Sequence, residues 1–236
     1  VPIYQLPPEP VFPSPEEAEE EGLLAVGGDL SPERLITAYS MGIFPWPHRG
    51  MPLLWFSPDP RMVLDARAIR LSRSLRQVIR RGRFEVRLDT AFTRTMTGCA
   101  RARRKGARGT WITRAMIEAY TRLHEMGLAH SAESWRDGKL AGGLYGVCLG
   151  GVFFGESMFA AEPDASKVAF ATLVAQLRVW GINLVDCQTH TEHLERFGAR
   201  LIPRGEFLDQ LAVAVRQVSR PGPWKLEVTP DQVCST

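Results

Sequence analysis

The sequence predicts an α+β fold, helices inserted into a largely antiparallel sheet, and three observations carry that prediction. Strand-like runs follow one another at 129–135, 139–149 and 151–159. Asp137-Gly138 and Gly150-Gly151, which separate them, are the dipeptides that supply the left-handed positions of tight hairpin turns. After them a helical pattern from about 165 to 180, stopped by Gly181, leads into a further strand at 182–188. A meander of strands followed by alternating helix and strand is the α+β pattern.

The elements read in order as follows. Residues 1–60 form a small Pro-punctuated α/β domain and residues 61–236 a larger one, with the boundary near Asp59-Pro60-Arg61. Ser14-Pro15-Glu16-Glu17 has the pattern of a capping box, and Ser31-Pro32-Glu33 opens a second short helix that Gly42 ends. The segments 42–48 and 53–60 carry Phe44, Trp46, Trp55 and Phe56 between prolines, which keep them from being helix or central strand. Trp side chains on such stiff segments serve either as stacking platforms or as packing between domains. Met62-Val-Leu64 reads as the first strand of the large domain. Leu71, Leu75, Val78 and Ile79 then share one side of a helix whose remaining surface is cationic. Residues 84–88 alternate as a strand, a helix starts near Thr90, and Thr113 caps another that Gly127 stops. The chain continues through a short helix to Phe197, a strand at Leu201 and a helix from about 206 to 218; beyond Pro221 no pattern is readable.

Composition limits the function classes. A chain of 236 residues with 44% hydrophobic content builds a substantial core. No run approaches the roughly 18 apolar residues of a membrane span, and the first residues carry no basic-then-apolar leader, so a cytoplasmic location without membrane contact is expected. Cys99, Cys148, Cys187 and Cys234 lack Cys-x-x-Cys spacing and are expected as reduced, buried thiols. The His and acidic residues lack the spacing of a metal site, and none is expected. Net charge is +3, but residues 66–110 hold thirteen Arg and one Lys against Glu85 and Asp89, while the rest of the chain is net acidic. Arg73, Arg76, Arg80, Arg81 and Arg83 are the candidate contacts to a polyanion, the alternative being a solvated helix face. The run 101–108 is expected to be an exposed loop, either touching that partner or merely solvated.

Three polar residues stand among the apolar strands: Glu156 in Gly155-Glu-Ser-Met-Phe159, and Asp186 and Gln188 two apart on one face of the strand that ends there. Each alone is readable as a satisfied buried polar group; together they read as a site.

Phe44-Pro-Trp46, Trp111-Ile-Thr113, Gly142-Gly-Leu-Tyr-Gly146, Gly155-Glu-Ser-Met-Phe159, Ala165-Ser-Lys167, Asp186-Cys-Gln188 and His193-Leu-x-x-Phe-Gly-Ala199, in this order, resemble bacterial leucyl/phenylalanyl-tRNA-protein transferases. The resemblance spans about residues 3 to 225. It implies a small N-terminal domain followed by a domain similar to the acetyltransferase (GNAT) fold. It also implies transfer of Leu or Phe, with Met a further candidate, from aminoacyl-tRNA to the N-terminal Arg or Lys of acceptor proteins, creating a degradation signal. By the same resemblance Trp46 and Trp111 stack on the terminal adenosine, and Leu144, Met158, Leu173 and Val185 form the aminoacyl pocket. No cofactor is implied, and a monomer is expected.

The residues themselves bear on the acyl donor. GNAT-type enzymes cradle the diphosphate of acetyl-CoA on a Gly-rich turn, whereas here the corresponding turn, 160–166, has no glycine and carries Glu162 and Asp164. A donor other than CoA is expected. An acetyl-CoA-dependent acetyltransferase and a non-catalytic RNA-binding module remain the alternatives. Ester aminolysis requires a neutral amine and proton removal but no covalent intermediate. The expected catalytic roles are Asp186, acting with Gln188, to orient the acceptor amine and draw off its proton, and Glu156 to position the acceptor or the ribose. Cys187, between them, is expected on the opposite face, and His190 and His193 are expected to be structural.

Overall fold

In the computed structural model, which describes residues 3–48, 50–102 and 110–235, the N-terminal segment folds as a small sheet. Its strands β1 (Tyr4–Leu6), β2 (Leu23–Gly27), β3 (Phe44–Pro45) and β4 (Leu54–Phe56) lie in the order β1-β2-β4-β3. Helix α1 (Pro32–Ser40) begins with Pro32 at its first position and with the Ser31 hydroxyl accepting from the Arg34 N–H. Two expectations are corrected here. Residues Pro15–Glu17 make a single 3₁₀ turn, because Glu17 accepts from the Tyr4 hydroxyl instead of closing a capping box. The segment 54–56 is an interior strand, because the prolines at 52, 58 and 60 flank it and leave every ladder N–H inside it available.

The remainder builds a seven-stranded sheet from β5 (Arg61–Asp65), β6 (Glu85–Leu88), β7 (Ala129–Arg136), β8 (Lys139–Leu149), β9 (Val152–Ala160), β10 (Leu184–Gln188) and β11 (Arg200–Ile202). Its order is β11-β5-β10-β9-β8-β7-β6, and only the β9–β10 pair is parallel. The β7–β8 hairpin closes on Asp137 at φ 49° and Gly138 at φ 70°, the doubly left-handed turn that Asp-Gly predicts. Both faces of the sheet are covered, which is why β7 and most of β8 are buried at successive positions instead of at alternate ones. One face packs against α2 (Arg73–Arg80), α5 (Ala165–Val179) and the C-terminal α8 (Pro230–Cys234). The other packs against the N-terminal segment, α3 (Phe92–Arg101), α4 (Arg114–Glu125) and α7 (Arg204–Ala214), so Leu35, Tyr39 and Trp55 share a core with Tyr120, Phe154 and Phe207. The short α6 (Glu192–Glu195) follows β10.

The tail without a readable pattern is a strap. Trp224 stacks on His130 with ring centroids 3.5 Å apart, and the Gln176 amide oxygen accepts from the N–H groups of Glu227 and Val228. The expected final helix stops at Ala214, four residues before the predicted end. Residues 103–109, most of the basic run expected as an exposed loop, lie outside the described residues.

What positions the site is a split in the sheet. The β9–β10 ladder ends at Asp186 opposite Phe154, while β9 continues beside β8 as far as Ala160 opposite Gly142. Beyond Phe154, therefore, β9 and β10 diverge and leave a cleft. On its β8 side the ladder shifts register between Tyr145 and Gly146. A Cβ at Gly146 would lie 2.2 Å from the Phe154 carbonyl oxygen, which only backbone movement can relieve. Gly146→Ala is accordingly expected to destabilise the protein by about 2–3 kcal/mol, read as a lower urea midpoint.

Candidate active site

The cleft deepens into a cavity of about 340 Å³. Leu144, Met158, Phe170, Val185 and Leu194 give it apolar walls, Trp46 and Trp111 stand on its wall, and Glu156, Cys187, Gln188 and His193 also line it. Of the residues that the resemblance places in an aminoacyl pocket, Leu144, Met158 and Val185 therefore meet in one cavity with both tryptophans. Leu173 does not reach it; it is buried in the α5 core, and Phe170, one helical turn earlier, takes a place on the wall.

Asp186 occupies a different position from the one expected. Its side chain is 0% exposed and off the cavity wall, bonded through both oxygens to Arg61 at 2.8 and 2.7 Å. Its Oδ1 also accepts from the Gln188 N–H at 2.9 Å. The expectation that Asp186 itself meets the acceptor amine is thus corrected in its geometry: both carboxylate oxygens are held by protein donors, and the side chain is fully buried away from the cavity. The cause is local backbone geometry. Gln188 sits at φ 62° at a shift of register against β5, so strand alternation fails at this point. Cys187 and Gln188 both reach the cavity, and the expectation of Cys187 on the opposite face is corrected with it. Burial and the Asp186 charge push the Cys187 thiol well up, which leaves it a poor nucleophile.

Glu156 is the carboxyl on the wall, 8% exposed. Its Oε1 accepts from the Tyr39 hydroxyl at 2.7 Å and from Gln188 Nε2 at 2.8 Å, and its Oε2 accepts from the Tyr120 hydroxyl at 3.4 Å. The two phenols also touch each other. Burial pushes the Glu156 carboxyl up to about 7; the Tyr39 hydrogen bond pulls it back, and the Asp186 charge adds to the rise. Both phenols are held well above the usual tyrosine range by burial and the Glu156 charge, so they remain donors. A carboxyl that exchanges a proton near neutrality, beside an apolar recess, suits general acid–base work.

His190 pairs with Glu195 at the surface. His193 lines the cavity, its imidazole kept neutral by burial and by the nearby Lys167 and Arg196 charges. The arginines of α2 stay away from the cavity; Arg73, Arg76, Arg80 and Arg81 surround a shallow surface concavity on the α5 face of the sheet. Arg76 donates to the Cys234 carbonyl, Arg80 lies 3.8 Å from Asp231, and Arg83 lies 3.7 Å from Glu162. In the turn before α5, Glu162 pairs with Arg136 at 2.8 Å and Asp164 with Lys167 at 2.8 Å. Among the described residues no group of three or more His, Cys, Asp or Glu could hold a metal, and no helix is long and apolar enough to cross a membrane.

Sequence reasoning missed Arg61, Tyr39, Tyr120, Phe170 and His193 as parts of the site. Arg61 carried a signal, a charge opening an apolar strand, which demands a buried counter-charge. The tyrosines carried a weaker one, since a buried phenol requires a hydroxyl partner.

A side-chain-sized apolar recess, aromatic faces and a near-neutral carboxyl on a split sheet suit group transfer, and by its family the protein is a transferase enzyme. The chain belongs to the leucyl/phenylalanyl-tRNA protein transferase family, whose profile matches residues 63–212, with the profile of that family's N-terminal domain matching residues 28–59. It is 59% identical over 227 residues to the leucyl/phenylalanyl-tRNA–protein transferase of Anaeromyxobacter dehalogenans strain 2CP-C, covering 96% of this chain and 97% of that one. The same-named protein of Myxococcus xanthus strain DK1622 is 56% identical over 95% of this chain and 97% of its own length. That of Nitratidesulfovibrio vulgaris strain DP4 is 55% identical over 95% and 96%. Among solved structures, L-PGS from Bacillus licheniformis matches at 11% identity over 72% of this chain and 56% of that one, with a TM-score of 0.39.

The buried pair beneath the site has a measurable consequence. Arg61→Met strands the Asp186 charge and is expected to destabilise the protein by about 3–5 kcal/mol in denaturant unfolding, with Asp186→Leu in the same chain restoring most of the loss.

Proposed function

We propose that the enzyme moves Leu or Phe, with Met a further candidate, from aminoacyl-tRNA to the N-terminal Arg or Lys of acceptor proteins, and that the product is a signal for degradation. In this reading residues 1–60 are a domain that brings Trp46 and Tyr39 to the site, and residues 61–236 are a GNAT-like catalytic domain. The observation that supports it best is the single cavity in which an apolar recess, two tryptophans and Glu156 meet. The recess takes the aminoacyl side chain, which Met158 suits by its flexibility, and the tryptophans take the terminal adenosine.

The chemistry follows from the polar wall. The acceptor amine attacks the ester carbonyl; a C–N bond forms, the bond to the ribose oxygen breaks, and one proton travels from nitrogen to the departing oxygen. Glu156, poised near neutrality, takes the proton from the amine and returns it to the ribose oxygen. Gln188 holds Glu156 in place, and Asp186 with Arg61 holds Gln188. No covalent enzyme intermediate is formed: the Cys187 thiol, on the cavity wall, is held in its un-ionised form.

Labelled Leu on tRNA, offered with an acceptor bearing N-terminal Arg, should be transferred in a reaction that RNase abolishes. Acetylation from acetyl-CoA with indifference to RNase would overturn the reading. Because Glu156 acts as its carboxylate, kcat should rise with pH through about 7 and level off above it. Glu156→Gln should remove that limb and lower kcat by about 10²–10⁴. An unchanged pH profile in that variant would refute the role.

A further inference from the structure

We propose that a basic and aromatic track along α3 holds the unpaired nucleotides that precede the terminal adenosine of the RNA donor. The proposal rests on the reading of the cavity as the aminoacyl-adenosine site. The track starts from the cavity itself. Phe159 directly follows the wall residue Met158 and is partly exposed, and its ring lies where a side chain on α3 would otherwise be: a Cβ at Gly98 would stand 2.6 Å from it. Residues 94, 98 and 101 share one face of α3, so this glycine has an arginine on either side of it along the helix.

Beyond Gly98 the guanidinium of Arg94 lies over the Trp135 ring at 5.0 Å, and that of Arg87, from β6, lies over the same ring at 4.9 Å. Arg87 is fixed by a two-pronged pair with Glu85 at 2.8 Å. Arg94 and Arg101 are exposed, and among the described residues no carboxylate pairs with either. The seven helical rises from Arg94 to Arg101 span about 10 Å, the length of about three nucleotides stacked at 3.4 Å. Guanidinium planes backed by an aromatic ring are stacking platforms for unpaired bases, and the uncompensated charges meet the phosphates between them. Duplex RNA lacks exposed base faces, so the single-stranded end is the part of the donor that this surface fits. The α2 arginines, in contrast, lie on the opposite face of the sheet and are partly engaged by the C-terminal strap.

The test compares two donors, leucyl-adenosine and the leucyl ester of a single-stranded trinucleotide ending in adenosine, in the parent protein, Arg94→Ala and Arg94→Lys. The ratio of kcat/KM for the trinucleotide over the nucleoside should fall about tenfold in Arg94→Ala and less in Arg94→Lys, which keeps the charge but loses the plane. A ratio that stays at the parental value in both variants overturns the proposal. Fluorescence anisotropy of an uncharged, labelled single-stranded pentanucleotide ending in adenosine supplies a readout independent of transfer. Arg94→Ala should weaken its binding by a similar factor and make the salt dependence shallower. Binding of this probe unaffected by Arg94→Ala likewise overturns the proposal. Arg94-dependent binding in a parent protein that transfers Leu from neither donor would overturn the transferase mechanism and leave the RNA track standing.

Discussion

The structure depends on the buried pair of Arg61 and Asp186. Both side chains are 0% exposed, so neither charge has water to fall back on, and the pair is tolerable only because each guanidinium nitrogen and each carboxylate oxygen has a partner. Arg61 Nε and Nη2 take the carboxylate, Nη1 takes the Gly42 carbonyl at 3.0 Å, and the guanidinium lies between the rings of Phe44 and Phe207 at 4.9 and 4.6 Å. One side chain thereby ties together β5, β10, the turn after α1 and helix α7. Asp186 passes the constraint on. Its bond to the Gln188 N–H holds that residue in the left-handed conformation, and Gln188 in turn holds Glu156.

From that anchor the remaining geometry of the site follows. β9 and β10 pair only as far as Phe154 and Asp186, so the strands part at the point where the buried pair sits beneath the sheet's split end. The cleft needs walls from both sides of the sheet. Leu144, Met158 and Phe170 come from the core beneath α5, Trp46 and Trp111 from the core shared with the N-terminal segment. Glu156 lies at the junction of the two. It is buried enough to lose much of its ionisation and hydrogen-bonded enough to keep a defined place, with Tyr39 from α1 and Tyr120 from α4 as its donors. A low local dielectric strengthens these bonds and raises the penalty for leaving any of them unmade. The N-terminal segment is therefore part of the site's electrostatics as well as one of its walls.

How much of this was legible follows from the range of each signal. Asp137-Gly138 announced its hairpin because two left-handed residues in a row are a local steric demand. Ser31 and Thr113 announced helix starts because a cap bonds within three residues of itself. Glu156 and Gln188 were recognisable as polar residues out of place in apolar strands. The role of Asp186 was not, because strand periodicity presumes an unbroken pleat, and the left-handed Gln188 breaks it. Leu173 and Phe170 exchanged places for a similar reason: both are apolar and both are buried on α5, and which of them meets the cavity depends on where the split sheet lies over the helix.

The sequence by itself determined the strands, helices and turns, the segregation of arginine into one stretch, the absence of a Gly-rich turn before α5, and the family to which these motifs point. These are properties of residue type and short spacing, and steric or hydrophobic preference within a few residues suffices to express them. Tertiary structure alone decided which charges are hidden and which face the cavity. Arg61 finds Asp186 across 125 positions, and Tyr39 finds Glu156 across 117. Burial, which moves the Glu156 carboxyl towards neutrality, exists only once those distant segments have closed over it.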